Sequence, residues 1–510
     1  MSARGRGFDL RRRLDAAALR WQARLDTPLV DRTVPWILGG ALTVILTAIG
    51  LAVQRQLDGG SNLAVWTQAA WNLEQGRGSQ SSYGGGDVVL DQWAFTSLPV
   101  LHLGRWIPIG IVLAVAQPLL LGLAVVPIWR LARTVGRLRP GVTLALCLAY
   151  AAAPILYTSN LTGWSAVVPA VPALAWMGWF GQRRQWVAYG LCLGFALLSR
   201  ADVGLVVVAM GVLGITSGDR RPGLASIAVG SLWTVAYVVV ESPTLSDGQM
   251  TSGEAILARG QAPLAVLGEP VRLATDLLLQ PNVGALVVLV GPLLFLPLTV
   301  PRFMLPAVPP LVLGLVGEEA VRQAEGPGAP GGDRLPSVLL LAVIPIVTAA
   351  TVALARLGKP SVNRIRVDHR IVAAIMLATA TIFVQVAPAS PFNEPWSWGS
   401  QDQVDGARLE AVEVLDEVYG DGPLATSPQI APLVAEREEL SELAVAPPGD
   451  HWYPDEPAVV LDTTAVDEDG VALWTDQERV ALVQRLVAAS YDVEYRAEGI
   501  VVLVLPPDER

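Results

Sequence analysis

About eleven apolar runs follow one another between residues 35 and 387 of this 510-residue chain, and they constrain its fold more than any other feature. Most are close to the length of about 20 residues that a helix needs to cross a bilayer. The sequence is 52% hydrophobic and only 16% charged, whereas an average soluble domain is about 25% charged. The sequence therefore predicts a polytopic α-helical membrane protein with about 11 transmembrane helices.

Short polar segments rich in arginine separate several of the runs. The runs are 35–53, 107–129, 141–158, 165–181, 186–198, 203–217, 224–241, 283–300, 303–317, 336–355 and 371–387. With this count, the arginine clusters at 130–139, 183–184, 220–221 and 356–370 all fall on the side of the N-terminus. Because short cytoplasmic loops are enriched in Lys and Arg, that side is expected to be cytoplasmic. We therefore expect a plasma-membrane protein with a cytoplasmic N-terminus and an extracytoplasmic C-terminus.

Charge divides the chain into three predicted regions. Residues 1–34 are an Arg-rich cytoplasmic segment, and residues 35–387 are the transmembrane domain, with outer loops at 55–95 and 242–282. Residues 388–510 form an acidic extracytoplasmic domain with about 26 acidic and about 6 basic side chains. This distribution excludes a nucleic-acid binder, which needs clustered Lys and Arg on a soluble face.

The acidic region reads as a small α/β domain. Two helices are predicted, Ala407–Tyr419 and Thr475–Ser490, the second with Thr475 as N-cap and Glu478 three residues later. Because strands alternate with helices, a mostly parallel sheet is predicted. Its strands are Pro423–Thr426, Glu442–Ala446, Ala458–Asp462, Asp492–Arg496 and Ile500–Leu505. In the first outer loop, the segment Asn62–Leu73 predicts an amphipathic helix lying along the membrane surface.

A series of motifs runs through the chain in a fixed order. The outer loop reads SNLAVWTQAAWNLEQGRG from residue 61 and SSYGGGDVVLDQWAFTSLP from residue 81. Later segments read VPIWRLAR, SNLTGWSAVVPAVPAL, LLSRADVGL and GPLLFLPLTVPR, and the acidic region has PLATSPQIAPLVAER and AVVLDT. From about Leu57 to about Leu505, this order resembles domain-of-unknown-function family 2079. Its members are uncharacterised prokaryotic multi-pass membrane proteins that look like GT-C glycosyltransferases.

The resemblance implies a GT-C-like fold and transfer of a sugar from a lipid-phosphate carrier at the outer face. It also implies a substrate site that includes Asn62, Gln68 and Gln92. Asn62 stands where the family usually has an acidic residue, and Gln92 replaces the His of an Asp-His pair. The family's Lys-Glu-Asp segment appears as Arg200, Ala201 and Asp202. Several polar groups expected in a catalyst are therefore missing.

Such a transfer needs a carboxylate that accepts the proton of the acceptor hydroxyl, and a cation that offsets charge on the departing phosphate. The candidate catalytic residues are Asp91, Asp202 and Asp58, with Asp87 as a further candidate base, and Arg200 and Arg259 are candidate phosphate ligands. Each has a plainer explanation. Acids in a Gly-rich outer loop are usually just solvated, and Arg200 with Asp202 could equally be a salt bridge at a tight turn.

No cofactor is identified from the sequence. His102, His369 and His451 lie far apart and no metal-ligand spacing occurs, although a divalent metal could supply the required cation. The expected partners are the lipid bilayer and, by resemblance, a polyprenyl-phosphate sugar. Two other functions stay open: a non-catalytic membrane protein in envelope assembly, which the lost acids favour, and a transporter, which should show inverted repeats that are not found.

Overall fold

The structure, a computed structural model, describes residues 26–57, 60–241, 280–317, 337–361, 364–390, 399–443, 454–464 and 475–506. The chain is mostly helical, at 67%. Within the described ranges, six helical segments are long and apolar enough to cross a membrane. They are Pro28–Arg55, Ile109–Thr134, Pro140–Leu161, Arg220–Val240, Ser337–Leu357 and His369–Val386. The other predicted runs form shorter helices, so the count of eleven spans stays a prediction.

The elements follow one another in a simple order, with helices first and most strands last. The helices are α1 Pro28–Arg55, α2 Gly60–Glu74, α3 Leu98–Leu101, α4 Ile109–Leu123, α5 Val125–Thr134, α6 Pro140–Ala151, α7 Pro154–Leu161, α8 Ala170–Gln182, α9 Trp186–Leu197, α10 Val203–Thr216, α11 Arg220–Glu241, α12 Gln280–Val290, α13 Pro301–Met304, α14 Val308–Val312, α15 Leu340–Leu357, α16 His369–Val386, α17 Gln403–Val418 and α18 Asp476–Ala488. The strands are β1 Gln80–Ser81, β2 Gly86–Asp87, β3 Lys359–Ser361, β4 Arg364–Arg366, β5 Leu424–Thr426, β6 Leu440–Glu442, β7 Ala458–Asp462, β8 Asp492–Ala497 and β9 Ile500–Val504.

The helical bundle has a central helix and lipid-facing peripheral helices. In α15, 83% of the most apolar window is buried, against 28% in α1 and 11% in α16. The outer faces carry large exposed apolar side chains, such as Ile37 at 66%, Val187 at 81% and Leu232 at 69%. Soluble proteins rarely expose such continuous apolar surface, so a bilayer is its natural environment.

The predicted span 283–300 is interrupted. Helix α12 ends at Val290 and is followed by 3₁₀ turns at Gly291–Leu293 and Leu296–Thr299. Between them, Leu294 and Phe295 both adopt left-handed backbone, with φ of 54° and 56°. Two such residues in succession end a right-handed helix. An 11-residue helix rises only about 16 Å, roughly half of the hydrocarbon core.

Contacts bring the arginine clusters together at one end of the bundle. The Arg364 guanidinium donates to the Arg133 carbonyl at 2.9 Å, and Arg130 and Arg183 both lie over the Trp179 ring. We call this the arginine end, and it comprises residues 26–32, 130–139, 182–186, 216–221, 301–303, 356–361 and 364–370. The opposite, sheet end comprises α2, residues 75–108, 162–166 and 198–202, and the described part of the acidic C-terminal region.

A five-stranded sheet, β5 to β9, forms the centre of the C-terminal region. Its order is β6-β5-β7-β9-β8. β5 pairs in parallel with β6 and β7, but β9 pairs antiparallel with both β7 and β8. Strands β5, β6, β7 and β8 therefore run in the same direction, as the mostly parallel prediction expects, and only β9 is reversed. The cause is the two-residue connection Glu498–Gly499, whose φ angles of 47° and 85° suit a tight hairpin turn.

The sheet has helices on both faces. Alternate strand residues such as Ala458 and Val460 pack toward α17, while Val459 and Leu461 pack toward α18. The capping box of Thr475 and Glu478 at the start of α18 is confirmed, with the Glu478 N–H donating to Thr475 Oγ at 3.2 Å. Strand β6 lies about two residues before the predicted Glu442–Ala446, of which 444–446 fall outside the described residues.

Helix α2 coincides with the predicted amphipathic segment, but it does not merely lie on a membrane surface. Its apolar face, with Leu63 and Trp66, packs on the loop and the bundle. Its other side, with Ala64, joins the core beneath the five-stranded sheet. Gln68, on the face expected to be polar, is fully buried. The helix therefore joins the bundle to the sheet.

Candidate functional site at the sheet end

The loop after α2 is folded around one carboxylate. Strands β1 and β2 pair antiparallel, with Gln80 opposite Asp87. The Asp87 carboxylate accepts hydrogen bonds from Ser79 Oγ at 2.5 Å and from the N–H groups of Val89 and Leu90 at 3.1 and 2.9 Å. These bonds close the turn that presents Asp91. Asp87 thus has a structural role that its Gly-rich surroundings did not indicate.

Asp91 is half-buried and lines an open cavity of about 530 Å³. Its main chain is fixed on the bundle, because the Tyr237 hydroxyl donates to the Asp91 carbonyl at 2.7 Å. Its carboxylate packs against Gly86, where any Cβ would overlap Oδ2. The remaining lining is mainly polar: Asn72, Arg77, Gln80, Ser81, Ser82, Asp87, Leu90 and Glu438. Asp91 is therefore a carboxylate held in a polar cavity at the sheet end.

The cavity rim includes a residue from the C-terminal region. Arg77 forms an ion pair with Glu438 at 3.0 Å and lies over the Trp71 ring at 5.2 Å. Neither Arg77 nor Glu438 was a candidate from the sequence. Glu438 is one of three acids in the run 436–439, and nothing local distinguishes the one that meets the loop.

A backbone hydrogen bond joins the Asp91 segment to the turn between α9 and α10. The Ala201 N–H donates to the Gln92 carbonyl at 3.1 Å, so Arg200 and Asp202 lie beside the candidate site. The Arg200 guanidinium donates from Nε to Asp202 Oδ1 at 2.9 Å and from Nη2 to Asp202 Oδ2. Side-chain exposure is 15% for Arg200 and 5% for Asp202. The geometry is that of a buried bidentate salt bridge, which engages both oxygens of Asp202.

Gln68 and Asn62 form structural hydrogen bonds. The Gln68 amide donates to Ser82 Oγ at 2.8 Å and to the Arg437 carbonyl at 3.0 Å, and its oxygen accepts from Ser81 Oγ at 2.8 Å. Both N–H donors and the oxygen of the Gln68 side-chain amide are thus hydrogen-bonded within the protein.

Asn62 bonds two carbonyls across the sheet end. Its amide donates to the carbonyls of Thr162 and Trp164 at 2.7 and 2.9 Å, which ties α2 to the loop before α8. The half-buried Gln92 lies next to Asp91. Asp58 and Arg259 fall outside the described residues.

Within the described ranges, no three His, Cys, Asp or Glu side chains are grouped so that they could hold a metal ion. Arginine side chains are the cations that the described residues bring to this site. Arg77 lines the cavity and is ion-paired with Glu438 at its rim, whereas Arg200 is paired with Asp202 and lies outside the lining. A carboxylate and a guanidinium facing one cavity can bind a hydroxylated ligand that carries a negative charge.

The comparison with known families gives a match over most of the chain. A family described as "Predicted membrane protein (DUF2079)" matches residues 55–502, which includes α2, the cavity and all but the last two residues of the five-stranded sheet. No curated protein matches the chain.

Proposed function

The chain belongs to the DUF2079 family of predicted membrane proteins, and from this premise we propose that it is a GT-C-like membrane glycosyltransferase. It would use a polyprenyl-phosphate sugar as donor at the outer face of the plasma membrane. In this proposal the arginine end is cytoplasmic and the sheet end extracytoplasmic. Residues 1–34, 35–387 and 388–510 are the cytoplasmic segment, the membrane domain and the outer domain.

One observation supports the proposal most: the Asp91 carboxylate lines an open polar cavity of about 530 Å³ at the sheet end. The cavity lies between the bundle and the sheet. This position suits a sugar donor that is held in the membrane and an acceptor that arrives from outside it. Asp91 is the proposed general base, because a carboxylate within hydrogen-bond reach can accept the acceptor proton. Arg77 is the proposed contact for the departing phosphate. Asp202 is the weaker candidate base, since Arg200 occupies both of its oxygens.

The test is sugar transfer from polyprenyl-phosphate donors in membranes of cells with and without the gene. Asp91→Asn should lower turnover by about a hundredfold or more, while expression stays normal. The matched control is Asp492→Asn, which changes an exposed carboxylate on edge strand β8 outside the cavity. Full transfer by the Asp91→Asn protein would exclude Asp91 as the base.

A non-catalytic role in envelope assembly is the second candidate. It is favoured by the use of Asn62, Gln68 and the Arg200–Asp202 pair for internal bonds. In that case the cavity binds an envelope component but does not catalyse its reaction. Asp91→Asn would then complement a deletion strain fully, whereas Gln68→Ala, which loosens the sheet, would not.

A further inference from the structure

A second cavity lies at the arginine end, far from the candidate catalytic site. Its volume is about 120 Å³ and its lining is mostly apolar, with Leu131, Leu174, Met177, Leu213, Phe303 and Ile344. An apolar protein cavity of about 150 Å³ stays dry and accepts a small hydrocarbon. This cavity is thus suited to part of an acyl chain.

Glycine keeps the cavity open. A Cβ placed on Gly178 in α8 would meet only Leu131 Cδ1 within 4 Å, at a comfortable 3.9 Å. The space beside Gly178 is therefore vacant room rather than a close helix contact. Trp186 and Ser217 also line the cavity and are exposed, so the cavity opens to the outside between α9 and the end of α10.

The opening is surrounded by positive charge. The Arg302 guanidinium donates to Thr216 Oγ1 at 3.1 Å and to Ser217 Oγ at 2.7 Å, which places it at the opening. These bonds use two of the five N–H donors of a guanidinium. Arg184 lies 3.7 Å from Asp219, which also lines the cavity.

Arg220 and Arg221 are exposed in the next turn. Four arginines against one aspartate leave this opening positive. Guanidinium groups bind phosphate through charge-assisted hydrogen bonds and pack well at a bilayer surface. The pairing of a positive opening with an apolar interior matches a molecule with a phosphate at one end and a hydrocarbon chain at the other.

We propose that this cavity binds an anionic phospholipid of the leaflet at the arginine end. Its phosphate contacts Arg302 and Arg184, and the upper part of one acyl chain enters between α8, α10 and α15. The lipid fills the space between the short helices α8 and α10 and the membrane-length helix α15. This site is independent of the proposed sugar transfer.

The test uses the purified full-length protein in mixed micelles with phosphatidylglycerol or phosphatidylcholine as probe. We expect phosphatidylglycerol, and not phosphatidylcholine, to co-purify in a fixed ratio and to raise the unfolding temperature. Gly178→Leu should fill the cavity and abolish both effects. The control Gly190→Leu, at an exposed position of α9 with nothing within 4 Å of its Cβ, should retain them.

Arg302→Gln removes the positive charge that contacts the phosphate but leaves the cavity unchanged, so it tests the phosphate contact independently of folding. It should reduce the preference for phosphatidylglycerol by about tenfold or more. Equal retention of both lipids by the parent protein would overturn the proposal. The proposal would also be overturned if the Gly178→Leu and the Arg302→Gln proteins both co-purified with as much phosphatidylglycerol as the parent protein.

Discussion

The two ends of the helical bundle are held together by different chemistry. At the sheet end, neutral amides such as Gln68 and Asn62 bond to main-chain carbonyls across elements. At the arginine end, the Arg133 guanidinium is 3% exposed and pairs with both Asp26 and Asp31. Arg364 lies 3.4 Å from Asp26 and closes the network.

This difference distinguishes charged groups that are paired within the protein from charged groups that face a cavity, where a ligand can contact them. Paired carboxylates and guanidiniums at the arginine end neutralise one another and fix the start of α1 against β4. Neutral amides at the sheet end satisfy buried carbonyls without adding charge near Asp91. Beside the cavity, Arg200 and Asp202 neutralise one another. The electrostatic field in the sheet-end cavity is therefore set chiefly by the charged residues that line it: Asp87, Asp91, Glu438 and Arg77.

The largest expected effect comes from breaking the network at the arginine end. Arg133→Met leaves Asp26 and Asp31 facing each other with only Arg364 as cation. Removing one partner of a buried ion pair costs about 3 kcal/mol or more. The folded yield in detergent should fall sharply. Arg356→Met, at an exposed arginine of the same end, is the control and should leave the yield unchanged; equal yields for both variants would show that the network is dispensable.

The second effect distinguishes a salt bridge from a donor contact at the sheet end. Arg200→Ala leaves the buried Asp202 carboxylate without its partner, so the folded yield should fall by an amount corresponding to about 3 kcal/mol. The double variant Arg200→Met with Asp202→Leu should recover much of the yield, because it buries no lone charge. If Arg200→Ala instead folds normally and only raises the KM for donor, Arg200 is a ligand contact.

A smaller effect is expected from the amide that joins the bundle to the sheet. Gln68→Ala leaves buried partners around Ser81, Ser82 and Arg437 unsatisfied, which costs about 1–3 kcal/mol. Hydrogen exchange in residues 437–443 should accelerate while exchange in α15 does not change. Gln75→Ala, at an exposed position just after α2, serves as the control. Unchanged exchange in the Gln68→Ala protein would mean that the sheet is held by its apolar contacts alone.

The smallest effect depends on pH. Desolvation between α2 and β6 raises the pKa of Glu442 above its ordinary 4.5, and the hydrogen bond from Ser61 Oγ partly opposes this. Because the ionised form is disfavoured in the folded protein, the contact is most stable below pH 4.5 and weakens as pH rises through the raised pKa. Glu442→Gln should flatten the pH dependence of exchange in β6. Glu439→Gln, at a carboxylate just outside β6, should leave it unchanged; a flat profile in the parent protein would contradict the assignment.

Local patterns in the sequence predict part of this fold, and long-range contacts account for what they miss. The long apolar runs predict the six membrane-length helices, and the Thr475–Glu478 spacing predicts the start of α18, because both depend on neighbouring residues. Strand β7 is found at the predicted Ala458–Asp462. The direction of β9 is set by the short Glu498–Gly499 connection, because a two-residue turn joins antiparallel strands. The alternation of strands and helices does not apply to β8 and β9, which have no helix between them.

The candidate site was harder to predict for the same reason. Asp91 was a candidate because it precedes an apolar run, and Arg200 with Asp202 because opposite charges are rare between such runs. The roles of Gln68 and Glu438 depend on the contact between α2 and the C-terminal sheet, which no local pattern specifies. Asn62 and Gln68, which were inferred to bind substrate, form hydrogen bonds within the protein, and their contact with substrate stays a prediction.

The central claim is that the two ends lie on opposite sides of the membrane, with the sheet end outside. Single cysteines can test it in a background that carries Cys147→Ala and Cys192→Ala. Two are placed at exposed positions of the sheet end, Gln75→Cys and Glu439→Cys. Two are placed at exposed positions of the arginine end, Gln185→Cys and Arg356→Cys. With a membrane-impermeant maleimide on intact cells, the first two should be labelled, and the other two only after permeabilisation. Labelling of the arginine-end cysteines in intact cells, with protection of those at the sheet end, would contradict the account.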